Sequence, residues 1–337
     1  MRITAITPMK NEGPYILEWL AYHHLIGVND FLVFTNACAD GSDQMLERLD
    51  EMGIVRHMPN PSTVTGSTAH HLELIRYINA FPRIRRSDWH INIDADEFIA
   101  VRAGDGALSD LFAAAPDAQL ISLLQIPYGS QGQREMQDAL QIRQFTHAFD
   151  WRAEGAARRS RLGIKTLVRR DAPMRRIVNH APKLRKRGLD DLCWVNGGGV
   201  PIDLELASSI PKSFPPNYWS GALAQINHYA VRSMDAYLVQ SDRGNANRGS
   251  DANLKYWRVH DINEVEDGTA LRFAERVEAL RQDWLRDPEL RDLHAASFAW
   301  HVNRIEERKQ DPERARLRRR IERWHRRTYE SPAEAAE

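Results

Sequence analysis

Cysteine is scarce in this chain of 337 residues. The two cysteines, Cys38 and Cys193, are far apart and fit no metal-binding spacing, which indicates free thiols in a reducing compartment. Lys plus Arg and Asp plus Glu both total 46, so the formal net charge is zero. A general nucleic-acid binder is normally basic overall, so this balance disfavours that class.

Long apolar runs are also missing. No stretch approaches the ~18 apolar residues of a transmembrane helix, and the apolar run at the N-terminus is too short for a signal peptide. The chain contains neither GxGxxG nor GxxxxGKS/T, which disfavours a dinucleotide-binding Rossmann site and a P-loop. We therefore expect a globular protein of the cytoplasm whose function rests on other motifs.

Strand and helix patterns alternate through the first hundred residues. Apolar strand segments occur at residues 3–7, 31–35, 54–58 and 89–93, and apolar residues at helical spacing fill the intervals. This alternation predicts the α/β fold class, with a mainly parallel, Rossmann-like sheet and helices on both faces. Ligands of such sheets bind outside the carboxyl ends of the strands. Functional residues are therefore expected in the loops that follow the strands.

The fourth strand pattern ends in a cluster of carboxylates, Asp94, Asp96 and Glu97. Asp94 and Asp96 stand at i and i+2, so an extended chain would place both side chains on one side. Two hard oxygen ligands on one side suit Mg²⁺ or Mn²⁺, which take their other ligands from waters and substrate phosphates. The competing interpretation is a solvated turn after a strand.

Polar loops also follow the first and second strand patterns. Lys10, Asn11 and Glu12 come after the first strand, and Asn36 and Asp40 lie in the loop after the second. Because the strands are predicted to be parallel, these loops and the carboxylate cluster should meet at one edge of the sheet.

Taken together, the order and placement of these motifs resemble the GT-A-fold glycosyltransferases of the family-2-like group, in its bacterial cytosolic branch. The resemblance covers roughly residues 1–245, which implies a GT-A catalytic domain with a nucleotide-binding half of about 1–100 and an acceptor half of about 101–245. The matching segments are residues 10–12, Asn36 with 40–42, 94–98 as the Asp-x-Asp motif, 129–132, 165–168, 227–233 and Arg243 with Gly244.

This resemblance implies transfer of a sugar from a nucleotide-diphosphate sugar, with a UDP-sugar as the first candidate, to an acceptor hydroxyl. Glu12 and Asp40 would contact the base and ribose of the nucleotide, in a site shared with Lys10, Asn11 and Asn36. Asp94 would also belong to this nucleotide site, near the ribose. The acceptor would be a saccharide or a lipid-linked molecule, in the synthesis of a cell-surface polysaccharide or glycolipid.

The metal site implied by the resemblance consists of Asp94, Asp96 and His228. A divalent cation that bridges two phosphates acts as a Lewis acid and stabilises the departing nucleotide diphosphate. His228 is the first choice for a third ligand and His180 the second, since imidazole suits Mn²⁺ better than Mg²⁺. Arg243 could clamp a phosphate with two hydrogen bonds, or it could be an ordinary surface arginine.

The catalytic base is open at this point. Glu135 and Asp138 lie in the region where the family carries an acidic base, but neither matches its pattern unambiguously. An acceptor hydroxyl needs a general base within hydrogen-bond reach if the reaction inverts the sugar. For either residue alone the sequence favours an ordinary solvated carboxylate, so inversion and retention are undecided.

Residues 246–330 form a predicted C-terminal helical extension, and residues 331–337 a predicted disordered tail. Leu317, Ile321 and Trp324 give the last helix an apolar face opposite an arginine-rich one. Such a helix could contact the inner face of a membrane or a partner protein. The competing interpretation is a terminal helix packed on the body of the protein.

Two other functions remain in competition with the glycosyltransferase hypothesis. One is a catalytically degenerate GT-A domain that acts as a scaffold or carbohydrate-binding protein, which the absent base would favour. The other is a metal-dependent nucleotidyltransferase, which would require a basic, glycine-rich phosphate loop after the first strand. Residues 10–12 do not supply such a loop, so this alternative ranks below the scaffold.

Overall fold

The computed structural model describes residues 1–156, 162–209, 211–241 and 250–330. The strands are β1 (Ile3–Met9), β2 (Asp30–Thr35), β3 (Arg56–Pro59), β4 (Trp89–Asn92), β5 (Glu97–Val101), β6 (Leu120–Pro127), β7 (His147–Ala148), β8 (Ile164–Arg169), β9 (Met174–Arg176), β10 (Lys183–Leu184), β11 (Trp194–Asn196), β12 (Ala224–His228) and β13 (Val265–Glu266). The helices are α1 (Gly13–Leu25), α2 (Ser42–Glu51), α3 (Ser62–Thr65), α4 (His70–Ala80), α5 (Leu108–Ala114), α6 (Gln141–Gln144), α7 (Met234–Gln240), α8 (Ser250–His260), α9 (Ala274–Trp284), α10 (Pro288–Gln310) and α11 (Pro312–His325).

A central sheet carries the strands in the order β3-β2-β1-β4-β8-β6-β12-β5, with β11 paired to β6. Strands β3, β2, β1 and β4 are parallel to one another, as the alternation of strands and helices predicts. Strand β8 runs antiparallel between β4 and β6, and β5 runs antiparallel beside β12. The predicted α/β class, with a mostly parallel sheet and a helical C-terminal region, is confirmed.

The sheet curls, because β4 and β5 are consecutive in the chain but stand far apart in the strand order. Only residues 93–96 join them, and four residues span at most ~14 Å. The two parts of the sheet must therefore approach each other at this connection. The predicted carboxylate cluster lies in and directly after this short turn, so strands β4 and β5 together fix its position.

Helix α1 is buried along most of its length between the sheet and the C-terminal helices. The Trp19 indole donates a hydrogen bond to the Glu97 carbonyl at 2.9 Å, and the Tyr22 hydroxyl donates one to the Ile99 carbonyl at 3.0 Å. Gly27, which follows the helix, has a φ of 112°, a conformation that suits glycine. Helix α1 thus secures the beginning of β5 directly after the carboxylate turn.

The C-terminal helices pack against the preceding part of the chain. Leu317 and Ile321 of α11 are buried with Leu238 of α7 and Trp257 of α8, so the protein itself covers the apolar face of α11. Buried Asp235 accepts from Lys309 and Arg318, both at 2.9 Å. Among the described residues, no helix has the length and apolar character needed to cross a bilayer.

Candidate functional site

The loops after β1 and β2 meet, as the parallel sheet predicts. The Ala39 amide donates to the Asn11 side-chain oxygen at 2.8 Å, and the Glu12 amide donates to the Ser42 hydroxyl at 2.9 Å. Lys10 is half-buried beside them and Asn36 is buried. The sequence therefore identified the residues that share this edge of the sheet.

The Asp40 carboxylate is buried and makes contacts through both of its oxygens. One carboxylate oxygen accepts from the Ser42 amide at 2.9 Å and from its hydroxyl at 2.6 Å. The other lies 2.9 Å from His301 Nε2 and 3.3 Å from Ser297 Oγ, both on α10. Burial alone would raise the pKa of Asp40, but the hydrogen bonds from His301 and Ser42 lower it to about 2. Asp40 thus joins the C-terminal region to this loop, and its contact with a ribose stays a prediction.

Glu12 lies against Arg232, which follows β12. Arg232 Nη1 is 3.1 Å from Glu12 Oε2, and the guanidinium carbon lies 3.7 Å from the centre of the Tyr15 ring. Arg232 is buried, and its Nη2 has no hydrogen-bond partner in the part of the chain that the structure describes. The Asp96 carboxylate lies close enough to act on the Arg232 charge. A buried guanidinium with an unused donor is suited to bind an anion.

At the β4–β5 turn, Asp94 is held by a buried lysine from β8. Lys165 Nζ lies 2.8 Å from Asp94 Oδ2, 3.2 Å from Glu97 Oε2 and 3.1 Å from Asn179 Oδ1. Burial alone would lower the pKa of Lys165, but the two carboxylates outweigh that effect and raise it. The lysine is therefore a fixed internal cation.

The Glu97 side chain stabilises the β4–β5 turn through hydrogen bonds. Its side chain is buried and accepts from the Asp94 amide at 2.9 Å and from the Gln125 side chain. Burial raises the pKa of Glu97, while the Lys165 ammonium opposes that shift. These contacts fix the backbone at Asp94 rather than offering a free carboxylate to a ligand.

The environment of Asp96 is different. Its Oδ1 is 3.7 Å from His228 Nε2, and both side chains remain partly exposed, at 17% and 16% respectively. Burial would lower the pKa of His228, but Asp96 outweighs this and raises it. The His228 ring also packs edge-on against His260, with 5.6 Å between ring centres. Asp96 thus pairs with His228, whereas Asp94, whose side chain is 38% exposed, pairs with Lys165.

The residues present fit a divalent ion only in part. Among the described residues, no group of three or more His, Cys, Asp or Glu side chains is arranged to hold a metal. Asp96 and His228 could nevertheless bind an ion that takes its other ligands from waters and phosphates, as Mg²⁺ commonly does. Asp94 would have to release Lys165 in order to join them. The metal and its three-residue ligand set stay predictions.

The remaining predicted residues lie in varied places. Asp138 forms an ion pair with Arg281 and lies 3.5 Å from His294 Nε2, and the His294 hydrogen bond is the largest influence that lowers the pKa of Asp138. Glu135 is exposed in the loop after β6. Arg243 lies outside the described residues. The catalytic base therefore stays open.

A large basic cavity of about 760 Å³ opens beside the Asp94–Lys165 pair. Asn179, which hydrogen-bonds Lys165, lies in its wall, and His71 of α4 lies within electrostatic reach of Asp94. None of its described lining residues is acidic. The basic ones are His70, His71, Arg76, Arg176, His180 and Lys212. Except for His180, the sequence analysis missed them, because they come from segments distant in the chain.

Comparison with known protein families decides the class of the protein. A family model described as glycosyltransferase family 92 matches residues 3–176. The chain belongs to glycosyltransferase family 92. This membership supports the predicted transferase class, whereas the family-2-like group is not the one that the match supports. With the sheet topology described above, it agrees with the predicted GT-A class of fold.

The solved structures that match this family 92 protein resemble it only weakly. Staphylococcus aureus TarS is 17% identical over 41% of this chain and 24% of its own, with a TM-score of 0.28. S. aureus TarS 1–349 in complex with UDP is 14% identical over 92% and 91%, with a TM-score of 0.30. Glucosyl-3-phosphoglycerate synthase from Mycobacterium tuberculosis is 16% identical over 36% and 42%, with a TM-score of 0.23.

The alignment thus spans about a quarter of the first TarS chain and less than half of the synthase. TM-scores of this size indicate limited superposition, so these likenesses support no conclusion about substrate or mechanism. A search of curated protein sequences finds no significant match.

Proposed function

We propose that this family 92 protein transfers a sugar from a nucleotide-diphosphate sugar, with a UDP-sugar as the first candidate, to an acceptor hydroxyl. The observation that carries the proposal is the large basic cavity beside Asp94 and Lys165. Its Arg176 and Lys212 side chains supply positive charge, Arg76 is paired with Glu73 at 2.8 Å, and none of its described lining residues is acidic. Arginine and lysine are the usual partners of phosphate oxygens.

In this proposal residues at and near the β4–β5 turn position the diphosphate. Arg232 has an unused buried nitrogen close to Asp96, which could donate to a phosphate oxygen. Asp96 and His228 would hold Mn²⁺ or Mg²⁺, which would stabilise the charge of the departing nucleotide as a Lewis acid. Lys165 fixes Asp94 and Asn179 relative to each other, so the wall of the cavity next to the reacting bond is already ordered.

The polar loops after β1 and β2 would form the nucleotide end of the site. Lys10, Asn11 and Asn36 are the proposed contacts there, with Glu12 and Asp40 ordering the loops through Arg232 and His301. The proposed acceptor is a saccharide or lipid-linked molecule of cell-surface polysaccharide or glycolipid synthesis. Glu135 and Asp138 remain the candidates for its base.

The test is donor turnover by the purified chain. UDP-, GDP- and TDP-sugars are supplied with Mn²⁺ or Mg²⁺, and the release of nucleoside diphosphate is measured with and without EDTA. We expect release from one nucleotide class, lost in EDTA and reduced in Asp96→Asn. The matched control is Asp292→Asn, an exposed carboxylate on α10, which should leave release unchanged.

The degenerate scaffold is the second candidate, because Lys165 and His228 already pair with the carboxylates of the turn. Failure of every nucleotide to bind, with or without metal, would reject the transferase and favour this scaffold. Release of pyrophosphate from a nucleoside triphosphate would instead favour the nucleotidyltransferase.

A further inference from the structure

A second basic cavity, of about 500 Å³, lies beside the β9–β10 hairpin. We call it the hairpin cavity. Its lining contains one carboxylate, Asp171, and five arginines, which are Arg85, Arg169, Arg170, Arg175 and Arg185. The hairpin cavity shares no lining residue with the large basic cavity beside Asp94. Arg176 and residues 178–180 line the large basic cavity, whereas Ile177 lines the hairpin cavity.

Two of the five arginines have acidic partners. Arg169 is paired with Asp171 at 2.7 Å, and Arg170 is 3.3 Å from Asp88. The other three, Arg85, Arg175 and Arg185, have no side-chain hydrogen bond or ion pair within the described parts of the chain. Three uncompensated positive charges around one cavity repel one another, so an anion placed among them would be stabilised.

A buried polar atom without a partner borders the same cavity. His90 of β4 is 4% exposed, and its Nε2 has no hydrogen-bond partner among the residues that the structure describes. Buried polar atoms are normally satisfied by protein, water or ligand. An uncharged imidazole can donate a hydrogen bond to a phosphate oxygen or accept one from a protonated phosphate.

The segment that forms the hairpin is positively charged, although the chain as a whole is neutral. Residues 169–187 contain eight lysines and arginines and one acidic residue, whereas the whole chain has equal numbers of both signs. Positive charge is therefore concentrated in the segment that forms the hairpin. Guanidinium groups bind phosphate with paired hydrogen bonds, which makes phosphate the ligand chemistry that this surface fits.

We infer that the hairpin cavity is a second anion site that binds a phosphate group through Arg85, Arg175, Arg185 and His90. The phosphate can belong to a soluble phosphate ester or to the headgroup of an anionic lipid. This site shares no lining residue with the proposed donor cavity.

The first arm of the test uses inorganic pyrophosphate and calorimetry on the full chain. Arg76→Gln/Lys212→Gln serves as the background, because it removes cations from the other basic cavity. Pyrophosphate should still bind this background protein. Adding Arg85→Gln/Arg175→Gln/Arg185→Gln should weaken binding at least about tenfold, since hydrogen bonds to charged groups are lost. His90→Gln should weaken it less.

The second arm separates the two sources of phosphate by sedimentation with phosphatidylglycerol or phosphatidylcholine vesicles. Loss of binding to phosphatidylglycerol in the hairpin triple variant, and not in Arg316→Gln/Arg319→Gln of α11, assigns the lipid headgroup. Pyrophosphate binding without vesicle binding assigns a soluble ester. Absence of both kinds of binding, or binding that the triple variant leaves unchanged, overturns the inference. The three arginines are exposed, and urea unfolding of each variant verifies that it folds.

Discussion

Asp94 and Asp96 are two residues apart, yet their surroundings differ. Asp94 is bound by the buried Lys165 ammonium, which also contacts Glu97 and Asn179. Asp96 faces His228 across 3.7 Å at a partly exposed edge. Asp94 is thus paired with a buried ammonium and Asp96 with an imidazole, although Asp94 is the more exposed of the two, at 38% against 17%.

The difference arises from the backbone. An extended chain would place both side chains on one side, but residues 94–97 form a turn in which the Glu97 amide donates to the Asp94 carbonyl at 3.1 Å. Lys165 comes from β8, which pairs with β4, and His228 comes from β12, which pairs with β5. The two aspartates are therefore held by different strands of the curled sheet, and we expect Asp96, whose partner His228 can itself bind a metal, to contact the metal directly.

Removal of Lys165 should have the largest effect on stability. Lys165→Met leaves Glu97 buried without its cation, and loss of one member of a buried ion pair costs about 3 kcal/mol or more of unfolding free energy. Partial exposure of Asp94 keeps the expected cost near the low end. Urea unfolding measures it, with the exposed Lys186→Met as the control. A change below about 1 kcal/mol would show that the network does not hold the turn.

Exchange of each aspartate for asparagine tests the comparison directly. On the proposed reaction, Asp96→Asn should reduce turnover about 100-fold, as loss of an electrostatic group in an active site commonly does. Its unfolding free energy should change by less than about 1 kcal/mol, because its partner His228 is a partly exposed imidazole and not a buried ammonium. Asp94→Asn should reduce stability more than Asp96→Asn, because Lys165 loses a charged partner. The reverse order of stability effects would contradict the assignment of Asp94 to the internal network.

Asp40 provides an independent example of a carboxylate held inside the fold. Its pKa is lowered from 3.8 to about 2 by hydrogen bonds that outweigh its burial. A depressed pKa stabilises the folded state above the unfolded value, and this contribution is lost as the pH falls through the folded value. We expect wild type to lose about 2 kcal/mol from this group between roughly pH 4 and pH 2. Acid unfolding of Asp40→Asn should lack that component, and identical pH profiles would count against the His301 contact.

Local patterns in the sequence predicted much of the fold. The alternation of strands and helices indicated the parallel strands β1 to β4. Ser233, a residue type favoured at helix N-caps, caps α7, where its hydroxyl accepts from the Ala236 amide at 3.2 Å. The loops that carry Asn11 and Ser42 do meet. Each of these features depends on spacing within one element or between neighbouring ones.

The partners of the carboxylates could not be predicted in this way. Lys165 lies 71 positions from Asp94, and His301 lies 261 positions from Asp40, so local periodicity does not connect them. One signal was present, because Lys165 interrupts an apolar strand that includes Ile164, Leu167 and Val168. A lysine in a strand of this kind requires a buried counter-charge, but the sequence does not say which carboxylate supplies it.

Asn179 gives the smallest and most selective test. Asn179→Ala removes one neutral acceptor from Lys165 and leaves both carboxylates, so it should cost about 1 kcal/mol of unfolding free energy. The exposed Gln137→Ala is the matched control and should have little effect. If Asn179→Ala costs as much as Lys165→Met, the amide rather than the carboxylates holds the ammonium. The electrostatic distinction between Asp94 and Asp96 would then lose its basis, and Asp94 would be as available to a metal as Asp96.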